Sequence, residues 1–270
     1  VRRSLSVSLL LIAAAVTLPF PSKTQRPTPQ QQQQPQPPAQ QASPQSQGAP
    51  VPGTPLQSLP PTAAPQHVLS TVVLDPGHGG TDSGARGATG AIEKDVVLLM
   101  SRAVRSELER QDLRVVMTRE GDQNPSFDDR AAIANAQHNS VFVSLHVSST
   151  GTAGTARVYF FDVSGFPETA SVAGRLLTWD TAQKPFVELS RRLADLMQVQ
   201  LAQKFPKSPE ISLGVPVRTL RSVAAPAVGV EISSVTALDP NALEAMAPAL
   251  ATAIGRAVNA FKPMYEAGGR

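Results

Sequence analysis

The chemistry available to this sequence centres on four side chains: His78, Glu93, His146 and Glu231. His78 stands in DPGHGG at 75–80, where three glycines in four positions permit tight turns and close backbone approach. No Gly-Lys-Ser/Thr follows and G-x-G-x-x-G is not completed, so this loop is neither a phosphate cradle nor a dinucleotide fingerprint. Its effect is to expose one imidazole just past a strand. His146 ends the run VFVSLH, Glu93 opens Glu93-Lys94-Asp95, and Glu231 lies within AVGVEIS. Taken singly, each has an ordinary explanation. A strand-end histidine is commonly a hydrogen-bonded core residue, and an acid in a first helical turn is stabilised by the helix dipole. Glu231 fits such an explanation least well. A carboxylate flanked by Val228, Val230 and Ile232 is costly unless it is paired, protonated or metal-linked. Taken together, two His and one Glu make the ligand set of a hydrolytic zinc site with a fourth position for water, and a second Glu then serves as general base and acid. The helical H-E-x-x-H zinc motif is absent.

These residues need a scaffold that brings distant positions together. The β-branched runs at 71–75, 114–118, 141–146, 156–161 and 227–233 predict strands. Apolar spacing predicts helices over 93–111, 127–136, 185–204 and 240–261. The 127–136 helix opens on Ser126 as cap, with Asp129 three residues on in the capping-box position. Strands alternating with helices predict an α/β fold: a single domain with a mostly parallel twisted sheet flanked by helices on both faces. Ligands in such sheets gather at the carboxyl ends of strands, where His78, His146 and Glu231 all fall.

Composition narrows the rest. Cysteine is absent, which excludes disulfides, thiolate metal sites, a cysteine nucleophile and the lipid attachment site of a lipoprotein. The formal net charge of +3 is misleading, because residues 1–66 hold Arg2, Arg3, Lys23 and Arg26 and no acid. The remainder carries 20 basic against 21 acidic side chains, which argues against nucleic-acid binding. Arg2 and Arg3, the apolar run 9–16, Ala13 and Ala15, then Pro19 and Pro21, predict a signal peptide over 1–22 and export to the periplasm or cell envelope, with no membrane span in the mature form. The apolar run is far short of the ~20 residues a span requires. Residues 23–66, rich in Pro and Gln, predict a linker without a core, and the catalytic domain is expected over 67–270.

Several stretches carry a family resemblance: TVVLDPGHGGTDSGARG at 71–87, Glu93-Lys94-Asp95, VMTRE at 116–120, DRAAIAN at 129–135, FVSLH at 142–146 and PAVGVE at 226–231. In this order, over about 70–260, the chain resembles the N-acetylmuramoyl-L-alanine amidases of amidase type 3, which are zinc-dependent enzymes of bacterial peptidoglycan. The resemblance implies that His78, Glu93 and His146 bind Zn2+ and that Glu231 is the catalytic acid/base. The implied substrate is peptidoglycan or a muropeptide, cut at the amide between the muramic acid lactyl group and L-alanine during wall remodelling or daughter-cell separation. Two other readings share the ligand set: a zinc peptidase acting within the stem peptide, and a non-catalytic wall-binding regulator, although all four chemical positions are filled here. No activator protein is legible in the sequence.

The chain departs from the family pattern beside the site. Val147 and Ser148 follow His146 where a small residue and Asn or Asp are usual, and Ile232-Ser233-Ser234-Val235-Thr236 follows Glu231. The 163–185 segment, with Trp179, is longer than usual; core packing is the expected role of Trp179. Arg130 and Asn135 are expected to be structural, and His67 and His138 match nothing in the pattern.

Overall fold

The computed structural model describes residues 67–162 and 182–268. The expected signal peptide and linker, and Trp179, lie outside the described residues. Six strands form one sheet: β1 (Thr71–Pro76), β2 (Arg114–Met117), β3 (Ser140–Ser148), β4 (Thr155–Phe161), β5 (Leu213–Val215) and β6 (Ala227–Ser233). Their spatial order is β2-β1-β3-β6-β4-β5. All pairings are parallel except β4 with β6, which run antiparallel.

Alternation along the strands divides the sheet into two faces. Val72, Leu74, Val141, Val143, Leu145, Val147, Val228, Val230 and Ile232 join the larger core, packed with α1 (Glu93–Glu109), α3 (Val187–Lys204) and α6 (Ala247–Gly268). Val73, Phe142, Phe161 and Ala227 form a smaller core with α2 (Phe127–Asn135) and α4 (Arg218–Arg221). The chain passes from β1 to β2 on one side and then returns to place β3 on the other side of β1. The carboxyl ends of β1 and β3 therefore flank a topological switch point, the crevice where ligands bind in open α/β sheets. His78 follows one of these strands and His146 lies near the end of the other.

Where structure and sequence pattern differ, the reasons are local. The expected closing helix is divided into α5 (Pro240–Ala245) and α6, with Met246 between them. Pro248 sits in the first turn of α6, where its missing N–H costs little; inside one continuous helix it would have removed a bond and crowded the preceding turn. β5 and α4 are three and four residues long, too short to show periodicity. The Ser126–Asp129 capping box forms in both directions. Among the described residues, no helix is long and apolar enough to cross a membrane.

Candidate active site

The loop after β1 is held from beneath by two buried arginines. Asp75, wholly buried at the end of β1, accepts hydrogen bonds from Thr118 Oγ1 at 2.6 Å, Ser144 Oγ at 2.7 Å and Arg130 Nη1 at 2.6 Å. Arg130 also donates to the carbonyls of Pro76 and His78. Arg119 donates to the carbonyls of Pro76, Gly77 and Lys94, tying the loop to the start of α1. These bonds hold His78 at φ 61°, a left-handed conformation unusual for a residue with a side chain. Arg130 thus has the structural role expected of it, as has Asn135, which bonds the backbone of Ser222 and Ala224 after α4. Arg130→Met is expected to destabilise the domain by about 3–5 kcal/mol, because it leaves Asp75 buried without its charge partner. Urea unfolding checks this, and a loss below about 1 kcal/mol contradicts it.

Three of the sequence candidates converge above this platform. Glu93 is the first residue of α1, and its side chain is nearly buried instead of facing solvent at the helix end. Its Oε1 lies 2.9 Å from His146 Nδ1 and 3.2 Å from His78 Nε2, and accepts from Val147 N at 3.0 Å. Its Oε2 accepts from Ala85 N at 2.8 Å. Burial alone would raise the Glu93 carboxyl, but the hydrogen bonds from His146, His78 and Ala85 outweigh it and hold the group far below the usual carboxylate range. The hydrogen bond to Glu93 raises His78 above the ordinary imidazole value against the pull of burial, and Asp82 adds to the rise. Asp82 Oδ2 contacts His78 Nδ1 at 2.9 Å, which fixes the ring and turns Nε2 toward Glu93. Glycines make room for this approach. A Cβ at Gly77 would lie 2.3 Å from His146 Cε1, and one at Gly84 would lie 2.5 Å from Glu93 Oε2.

One ligand atom from each of His78, Glu93 and His146 lies within 4.8 Å of the others. Ligands at zinc–nitrogen and zinc–oxygen distances of about 2.0–2.2 Å in a tetrahedron stand roughly 3.3 Å apart, close to the 2.9 Å and 3.2 Å that separate Glu93 Oε1 from His146 Nδ1 and His78 Nε2. The donor set of two imidazoles and one carboxylate, with Asp82 orienting one ring from behind, fits zinc.

Glu231 is not in that cluster but stands next to it. In the parallel β3–β6 ladder it is the register partner of His146, so the two side chains project from the same face of neighbouring strands. Both line a cleft of about 330 Å³ with Ser144, Tyr159, Thr219 and Gly229. A second cleft of about 340 Å³ opens on the His78 side, lined by Asp82, Asn124, Ser126 and Phe127, and the two share His146 and Thr219. The arrangement therefore offers a potential cation site, a carboxylate beside it and room on both sides for an extended substrate. His67 and His138 are exposed and lie outside the cluster.

The sequence patterns did not single out Asp82, Arg119 or Tyr159. Asp82 follows His78 by four residues within the glycine-rich loop, and that short spacing was the available signal. For Tyr159, alternation in ARVYFF places Arg157, Tyr159 and Phe161 on one face, but the β4–β6 pairing that brings Tyr159 to Glu231 has no local signature.

Residues 72–260 match the family described as N-acetylmuramoyl-L-alanine amidase. The chain is similar to N-acetylmuramoyl-L-alanine amidase AmiA of Escherichia coli (strain K12), at 37% identity over 102 residues, 38% of this chain and 35% of that protein. It is also similar to the sporulation-specific N-acetylmuramoyl-L-alanine amidase of Bacillus subtilis (strain 168), at 38% identity over 100 residues, 36% of this chain and 38% of that protein. The matches thus span only 35% and 38% of the length of these two curated relatives. Among solved structures, AmiC2 of Nostoc punctiforme aligns at TM-score 0.52 and 26% identity, covering 71% of this chain and 96% of that one. Ami1 from Mycobacterium smegmatis aligns at TM-score 0.57 and 22% identity, covering 74% and 99%, a likeness of fold.

Proposed function

The chain belongs to the N-acetylmuramoyl-L-alanine amidase family, and from that premise we propose that it hydrolyses the amide between the muramic acid lactyl group and L-alanine in peptidoglycan. The observation that carries this reading is the placement of Glu231 beside the His78–Glu93–His146 cluster, in register with His146 and lining one cleft with it. In this reading His78, Glu93 and His146 hold zinc. Zinc there supplies Lewis acidity, bringing the pKa of water from 15.7 toward about 7 and favouring negative charge on a carbonyl oxygen.

The chain's own residues do the remaining work. Glu93 carries the negative charge that offsets a divalent cation, and its backbone donors, Ala85 and Val147, keep both of its oxygens fixed. Asp82 holds the His78 ring in one tautomer. Glu231 accepts a proton from the attacking water and returns it to the departing alanine amine, so one carboxylate serves both steps and ends in its starting form. The clefts on either side of His146 seat the two halves of the substrate, the sugar-linked acyl group and the peptide.

We further propose that residues 67–270 act as the catalytic domain on the envelope side of the membrane, after export through the 1–22 segment and on the 23–66 linker. Incubation of the full chain with purified peptidoglycan tests the activity. New free α-amino groups of L-alanine should appear, and their absence with zinc-replete protein counts against the proposal.

A further inference from the structure

The hydroxyl of Tyr159 donates a hydrogen bond to Glu231 Oε1 at 3.1 Å. The antiparallel pairing of β4 with β6 makes this contact possible. Tyr159 is the register partner of Gly229, two residues before Glu231 on the same face. Two residues of strand span about 7 Å, close to the reach of a tyrosine side chain lying along the sheet. Tyr159 and Glu231 line the same cleft as His146. We infer that Tyr159 is a positioning residue for the acid/base: its hydroxyl pins Glu231 Oε1 and leaves Oε2 as the oxygen that carries the proton. The inference rests on the acid/base role proposed for Glu231.

The chemistry of the contact favours this role. A lone glutamate side chain has several rotamers, and proton transfer needs it within hydrogen-bond reach of the reacting groups. Arg157 lies directly across the ladder from Glu231, yet no Arg157–Glu231 ion pair forms among the described residues. An ion pair would favour the charged carboxylate and resist the protonated half of the cycle, whereas a neutral phenol orients either form. Burial, with the Glu231 charge close by, pushes the Tyr159 hydroxyl up to about 12, so it remains a donor through the working pH range.

The test is steady-state hydrolysis of a soluble muropeptide by the full chain carrying Tyr159→Phe, which keeps the ring and the cleft wall. A hydrogen bond to a charged group is worth enough that kcat should fall about 10- to 100-fold. KM, zinc content and thermal midpoint should stay near wild type. The same substitution is then made in a Glu231→Asp background, where the shortened carboxylate is drawn back from the hydroxyl. There Tyr159→Phe should change kcat less than about twofold. A wild-type kcat for Tyr159→Phe, a loss carried by KM, or an equal fold-loss in both backgrounds overturns the inference. If Glu231→Gln is itself fully active, the acid/base reading has failed first; if it is inactive while Tyr159→Phe is normal, only the positioning role has failed.

Discussion

Glu231→Gln is expected to bind zinc and unfold at the wild-type temperature while losing turnover toward the upper end of about 10²–10⁴-fold, the range of general acid–base groups. The loss falls at the upper end because one group serves both attack and departure. Gln is nearly isosteric with Glu and keeps an acceptor for Tyr159, so the β6 strand and its contact with β4 should survive. A purely structural Glu231 gives the opposite pattern: lowered stability with turnover near normal. Zinc content, thermal midpoint and the rate of alanine amine release from a muropeptide, measured on this one variant, separate the two. A rate within a few-fold of wild type would pass the proton role to another group, with Glu93 the next to test.

The second large effect concerns the metal. The wild-type chain should hold about one zinc, and His78→Ala or His146→Ala should each sharply reduce binding and hydrolysis, because two protein ligands rarely hold a catalytic zinc. Chelation should silence the wild-type enzyme and added zinc should restore it. Elemental analysis showing unchanged zinc in both variants would remove the His78–Glu93–His146 assignment. Asp82→Asn is the milder companion. It leaves all three ligands in place but weakens the orientation of His78, and should cost about 10- to 100-fold in zinc affinity.

The α/β plan was legible because each long strand and helix carries its own periodicity: Val72 and Leu74 against Val73 in β1, or Val96, Val97, Met100, Val104 and Leu108 along one face of α1. His78, His146 and Glu231 were findable because strand ends are where such sheets collect ligands. Glu93 was harder to read, since an acid at a helix start usually needs only the helix dipole, and its burial between two imidazoles depends on how the loop 77–92 folds back. The contacts of Arg119 with Gly77, Arg130 with Asp75 and Tyr159 with Glu231 join residues 42 to 72 apart in sequence, which no local pattern encodes. After Glu231, Ser233 Oγ pairs with Ser148 Oγ, while Ser234 Oγ pairs with Thr236 Oγ1 and donates to the carbonyl of Ser149.

The measurement closest to the central claim is mass analysis of the fragments released when the full chain digests purified peptidoglycan. Cleavage at the lactyl amide yields complete stem peptides beginning with a free L-alanine amine, and glycan strands whose muramic acids end in a lactyl carboxylate. Stems that remain attached to muramic acid but are shortened within the peptide would contradict the account and assign the same metal site to a stem peptidase.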